Sequence, residues 1–359
     1  MKIAIVGAGI MGQLTALALV NAGHDLTLFE KNSEDDLNNC SMAAAGMLTA
    51  SIELEKSEKL IYELGCESLN SLWPKIIEGI STEVYFRRKG ALLVAHPQDK
   101  TELDRFMNTL LHRSVDRLHC EKLNSAALQT LEPELEKFNE AYYFPEEGQI
   151  DNQALIKVLI DDLRKLSVRL CFKTLVKEVK PHQIMTENST ENFDWVIDCR
   201  GLGAKSIFNE LRGVRGELIW VKAPEVKIEH LVRLLHPRYS LYIVPRPDHI
   251  YIIGASEIES EDQGPISVRT ALELLSAAFY CHPGFSEARI IKTMTHCRPT
   301  LKNHLPKIKY RPGLIAVNGL YRHGFLIAPA LANELRHYLE TGAASIHYPQ
   351  LWESIDEVH

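Results

Sequence analysis

Residues 2–30, "KIAIVGAGIMGQLTALALVNAGHDLTLFE", constrain this 359-residue chain more than any other stretch. Residues 3–6 form a continuous apolar run, as a parallel strand covered on both faces requires. Gly7-Ala8-Gly9-Ile10-Met11-Gly12 follows as a G-x-G-x-x-G turn. Leu14, Leu17, Ala18 and Leu19 then give a helix its apolar side, Ala22-Gly23 ends it, and residues 25–29 supply a second strand. In such a βαβ unit the first glycine permits the tight turn, the second lets backbone approach a pyrophosphate, and the third lets the helix close on the strand. The helix N-terminus offers free N–H groups and partial positive charge to phosphates. Glu30 stands near the spacing at which a carboxylate accepts from adenosine ribose hydroxyls, and its charge disfavours a 2′-phosphate. Gly7, Gly9, Gly12 and Glu30 are therefore expected to bind a dinucleotide. The motif alone leaves FAD and NAD both open.

The length favours two domains over one core. A formal net charge of −7 and only short basic runs, such as Arg87-Arg88-Lys89, argue against nucleic acid as a partner. The seven cysteines are scattered, odd in number and never in a C-x-x-C pair, which reads as reduced thiols in the cytoplasm. Apolar stretches are interrupted by charge before they could span a bilayer, and no signal peptide precedes residues 3–6.

Helical pattern is expected over 52–80 and across the charged segment 101–135, with an apolar run at 91–95 between them. Segments 168–180 and 193–204 read as strands. From 214 to 257 the period changes to two, as in "VRGELIWVKAP", "SLYIVPR" and "HIYIIGASE", which predicts an antiparallel sheet. "GLIAVNGLYRHGFLIAPALANELRHYLETG" gives strand, glycine turn and a long helix. The expected fold is α/β, or α+β in two parts: a Rossmann-like FAD-binding domain of the glutathione-reductase type, and an antiparallel-sheet substrate domain. The first is expected to comprise 1–80, 142–206 and 298–359, the second 81–141 and 207–297.

"CSMAAAGML", "LEPEL", "YYFPEEGQIDNQAL", "VRGELI", "YIVPR", "IIGASE", "CRPTLKNHLP" and "GLYRHGFLIAPALANEL" occur in this order along nearly the whole chain. The series resembles the D-amino acid oxidase and glycine oxidase family of flavoproteins. The resemblance implies a non-covalent FAD, with Ala44, Ala45, Gly46 and Met47 approaching the isoalloxazine. Val176, in the "TLVKEV" strand, would face adenine, and Gly201 would pack on the cofactor. Gly324, Phe325, Leu326 and Ile327 would lie by the flavin pyrimidine edge. It further implies oxidation of glycine or another small amine or D-amino acid by hydride transfer to flavin N5. An imine would be released, O2 reduced to peroxide, and the imine of glycine used in thiamine (thiazole) biosynthesis. A dehydrogenase using another acceptor, a sarcosine-oxidase-like enzyme and a catalytically inactive relative remain alternatives, and a homo-oligomer is left open.

Such chemistry asks the protein mainly to bind and orient. Arginine holds a carboxylate with two parallel bonds, and the resemblance places Arg298 in that role. Tyr242 would donate to the same carboxylate, and Arg322 would lie near the substrate. His296-Cys297 beside Arg298 invites a metal or a covalent flavin. However, neighbouring strand residues face opposite ways, and no metal is expected. Two positions depart from the family pattern. Lys302-Asn303 stands where relatives usually carry Pro-Asp and would add positive charge near the flavin edge. Glu257 follows "GAS", where the direction of its side chain decides what it does.

Overall fold

The computed structural model describes residues 1–113, 118–237, 239–342 and 346–355. The apolar runs seen in the sequence build a seven-stranded sheet in the order Trp352–Ser354, Lys307–Arg311, Leu314–Asn318, Trp195–Asp198, Lys2–Val6, Asp25–Phe29, Arg169–Cys171. The five strands from Leu314–Asn318 to Arg169–Cys171 are parallel, and Lys307–Arg311 joins the edge antiparallel. Lys2–Val6 is buried beyond its first residue, which is why its sequence shows no alternation. The helix after the glycine turn, Ile10–Asn21, packs against Asn152–Lys165 and Gly324–Thr341. Asn152–Lys165 begins at Asp151, whose carboxylate accepts from the N–H groups of Gln153 and Ala154 at 3.0 Å, and it buries Leu155, Ile156, Leu159, Ile160 and Leu163. Each such apolar side chain contributes about 1.5–3 kcal/mol to the core.

An eight-stranded sheet follows the order Arg289–Thr300, Arg212–Lys222, Ile250–Gly254, Tyr239–Arg246, Leu231–His236, Ala91–Ala95, Glu140–Phe144, Glu121–Asn124. It departs from the expected antiparallel sheet at one pair, because Leu231–His236 runs parallel to Ala91–Ala95. The strand "ALLVA" is buried along its whole length. The helix Val268–Cys281 covers one face of this sheet and Lys100–Arg113 the other, so the middle strands need apolar residues on both sides.

Two expectations are corrected locally. Segment 168–180 is not continuous strand. Only Arg169–Cys171 and Glu178–Lys180 are extended into sheets, and Lys173 between them has φ +53°. Thr174 N–H donates to Glu30 O at 2.8 Å and Lys173 N–H to Asn32 O at 2.9 Å, so the chain leaves the sheet to follow the loop after Glu30. Val176 therefore lies in a link and not in a strand. Segment 101–135 divides into the helices Lys100–Arg113 and Ser125–Leu131, with the edge strand Glu121–Asn124 between them, and 114–117 lies outside the described residues. Among the described residues no helix is long and apolar enough to cross a membrane.

Candidate active site

A cavity of about 730 Å³ extends from the end of strand Lys2–Val6 to the wall formed by the eight-stranded sheet. At the first end the glycine turn brings backbone to the surface of the cavity through Gly7 and Gly9. Gly7 has φ +105°, and a Cβ on it would meet the Cys199 carbonyl at 2.7 Å. A Cβ on Gly12 would overlap the Gly7 carbonyl, so Gly12 serves the close packing of helix on turn and does not itself face the cavity. Glu30 lines the cavity just beyond strand Asp25–Phe29. Its two oxygens accept from Ala8 N–H and Asn32 N–H, each at 2.9 Å. The carboxylate is thus locked to the glycine turn while its remaining acceptor capacity meets the cavity.

Val176 and Gly201 also line this region. The Val176 carbonyl accepts from Arg200 Nη1 at 3.2 Å, and Arg200 is in turn paired with buried Asp198 at 2.6 Å. Farther along, Ala44, Ala45, Gly46 and Met47 form one wall, anchored where Arg246 donates to the carbonyls of Ala45 and Ile150 at 2.6 and 2.7 Å. Gly324, Phe325 and Leu326 bring the start of the last helix to the same cavity. Ile327 does not join them. It is 0% exposed within the apolar core, because the next step around the helix turns it inward.

The far end of the cavity gathers Arg298, Tyr242 and Arg322, with an arrangement their separate positions did not suggest. Arg298 lies on strand Arg289–Thr300, and its Nη1 donates to Ser256 O at 3.1 Å. Gly216, on the neighbouring strand, makes room for it, since a Cβ there would overlap the guanidinium. Among the described residues no carboxylate pairs with Arg298. Arg322 and Tyr242 are instead held by Glu53, a residue the sequence reading did not single out. Glu53 is 4% exposed, and its carboxylate lies 2.5 Å from Arg322 Nη2 and accepts from the Tyr242 hydroxyl at 2.7 Å. Burial works against the charge of Glu53, but Arg322, Arg233 and the Tyr242 hydroxyl bring its pKa down to about 2. His323 lies nearby, with Nδ1 3.9 Å from the carboxylate, and burial lowers its pKa to about 4, so it is neutral at pH 7. The short helix carrying Glu53 is seated by buried Glu147, which accepts from the N–H groups of Ser51 and Ile52 at 2.6 and 3.3 Å.

The two departures resolve in opposite directions. Glu257 lines the cavity and reaches Arg322 Nη1 at 3.5 Å. Lys302 and Asn303 are exposed in the turn after the strand, where Asn303 Oδ1 accepts from Leu305 N–H at 3.2 Å, and they are not part of the cavity wall. The expected positive charge near the flavin edge is therefore absent from the wall. Cys297 is fully buried, its Sγ near the carbonyls of Asp262 and Ser260 at 3.5 and 3.6 Å, and burial raises its pKa. Among the described residues no group of three or more His, Cys, Asp or Glu side chains could hold a metal ion.

The residues fit FAD. An extended cavity with glycine backbone and the Glu30 carboxylate at one end and small side chains along its middle suits an extended dinucleotide. Known proteins agree with this reading. The chain is 36% identical over 342 residues to a candidate thiamine biosynthesis oxidoreductase, ThiO, of Rhizobium etli, covering 95% of this chain and 97% of the relative. Its fold is similar to that of glycine oxidase from Geobacillus kaustophilus, with a TM-score of 0.85, 24% identity and 99% of each chain covered. It is also similar to iminodiacetate oxidase from Chelativorans, with a TM-score of 0.84, 22% identity, and 98% and 99% covered. The family model described as DAO, FAD dependent oxidoreductase, matches residues 2–337. The chain therefore belongs to the DAO family of FAD-dependent oxidoreductases.

Proposed function

We propose that this protein oxidises glycine or another small α-amino acid or N-substituted glycine to its imine, with O2 as the final acceptor and peroxide as the second product. The observation that carries the reading is Arg298, a guanidinium in the cavity wall with a carbonyl but no carboxylate partner among the described residues. A bidentate bond to a substrate carboxylate supplies that partner. Bound FAD would supply the hydride acceptor. The rest of the work falls to positioning. Arg298 fixes one end of the substrate, while Tyr242 and Arg322, already held by Glu53, form a rigid wall against which the amine-bearing carbon is oriented. Neutral His323, behind Glu53, adds no positive charge that would compete with Arg298.

The ThiO relationship supports a place for the product in thiamine biosynthesis, where the imine of glycine would enter thiazole formation. The seven free cysteines support a reducing, cytoplasmic setting. Anaerobic addition of glycine or sarcosine should bleach the purified yellow protein, and readmitted air should restore the colour with release of peroxide. Recovery without peroxide would point to a different acceptor, and no bleaching by any small amino acid would reject the oxidase reading. Arg298→Leu should raise KM about a hundredfold, the loss of a charge-assisted pair, while FAD stays bound. An unchanged KM would remove Arg298 from its role.

A further inference from the structure

Four charged side chains meet at the substrate end of the cavity: Arg298, Arg322, Glu53 and Glu257. Arg322 is shared by two carboxylates, Glu53 at 2.5 Å and Glu257 at 3.5 Å. Glu53 is almost completely enclosed, whereas the Glu257 side chain is 48% exposed. Glu257 follows strand Ile250–Gly254 and lines the cavity together with Tyr321 and Arg322. Arg298 is the one guanidinium of the group without a carboxylate partner among the described residues.

We propose that Glu257 is a specificity-determining residue that limits this site to amino acids whose second substituent is neutral or cationic and rejects those carrying a second carboxylate. The inference rests on Arg298 holding the first carboxylate. Once that bond is made, a second carboxylate on the substrate meets Arg322, whose charge Glu53 and Glu257 have already neutralised, and it meets Glu257 itself. Like charges brought to one cavity wall repel, and partial exposure tempers the repulsion without removing it. An ammonium on the second substituent gains the same interaction with the opposite sign. Burial works against the charge of Glu257, but the Tyr321 hydroxyl and Arg322 hold its pKa below the ordinary carboxylate range, so it is ionised wherever an amine oxidase of this kind would be assayed. The N-substituted glycines form a matched series for this test, because iminodiacetate, its monoamide and N-(2-aminoethyl)glycine differ mainly in the charge of one arm.

The experiment uses the FAD-loaded protein and compares kcat/KM for the three compounds, with glycine as reference, in the natural sequence and in Glu257→Gln and Glu257→Arg. The natural protein should favour the monoamide over iminodiacetate by about tenfold or more and should accept the cationic compound at least as well as the amide. Glu257→Gln should reduce the amide-to-dianion ratio by about tenfold, and Glu257→Arg should reverse it. Binding gives a readout independent of turnover: calorimetric Kd values for methoxyacetate and diglycolate, neither of which has an amine to oxidise, should show the same gap and its loss in Glu257→Gln. Equal handling of amide and dianion by the natural protein, or a ratio unmoved by Glu257→Gln, overturns the proposal. Failure of the oxidase reading looks different, because glycine and all three compounds would then leave the flavin oxidised.

Discussion

Replacing Glu53 by Gln tests whether the buried carboxylate is the strut of the site. The substitution keeps shape and some hydrogen bonding but removes the charge that faces Arg322 at 2.5 Å. A carboxyl brought from its ordinary 4.5 down to about 2 favours its charged state by about 3 kcal/mol, and Glu53 is too enclosed for solvent to screen much of this. Removing one partner of a buried pair costs about 3–5 kcal/mol in general. The lower end applies here, because Glu257 still reaches Arg322 at 3.5 Å. Urea unfolding of the FAD-loaded protein at pH 7 should therefore show Glu53→Gln destabilised by about 3 kcal/mol. The direction with pH follows from the lowered folded value. The stabilisation is complete above about 4.5 and is lost as pH falls towards 2, so the gap between natural and variant proteins should be flat from neutrality to mild acid and then close. Adding Arg322→Met to Glu53→Gln should recover part of the loss, since the uncompensated charge goes with it. A gap under about 1 kcal/mol at pH 7, or one that widens on acidification, would refute the reasoning.

Two further perturbations test how glycines shape the site. In Gly216→Ala the new methyl overlaps the Arg298 guanidinium, so kcat/KM should fall on the order of a hundredfold with FAD occupancy retained; steady-state kinetics within twofold of the natural protein would show that Arg298 does not need that space. In Gly12→Ala the methyl overlaps the Gly7 carbonyl and pushes the helix from its turn, which should weaken FAD binding by about 2 kcal/mol, or about thirtyfold. A full flavin-to-protein ratio after extensive dialysis of Gly12→Ala would contradict this.

The fold was legible where sequence pattern and burial coincide. "KIAIVGAG" could be read as a buried parallel strand and a phosphate turn because both demands fall on adjacent residues. The alternation at 214–257 announced a sheet but not that Leu231–His236 lies parallel to Ala91–Ala95, since period two is common to both pairings. Lys173 at φ +53° interrupts an otherwise strand-like segment, and no glycine, proline or asparagine marked it. Ile327 was grouped with Gly324 because they are close in sequence, whereas helical geometry sends one to the cavity and the other to the core. Gly216 stood in a quoted motif without a task, because the space it clears belongs to a side chain 82 positions away.

Glu53 shows where sequence reading stops. It is one of many acidic residues in a helical stretch, and its importance comes from Tyr242 and Arg322, which reach it from another strand and from the turn into the last helix. Once Glu53 is placed, the two arginines cease to be equivalent: Arg322 is paired with buried Glu53, whereas Arg298 meets a carbonyl but no carboxylate among the described residues. The same placement reverses the weight of the two departures from the family pattern. The conspicuous one, Lys302-Asn303, lies outside the cavity wall, while Glu257 shares Arg322 with Glu53 and brings negative charge to the wall itself. Charge selection at this site therefore turns on how Arg322 is divided between two carboxylates, because whatever part of its charge they neutralise is unavailable to a substrate.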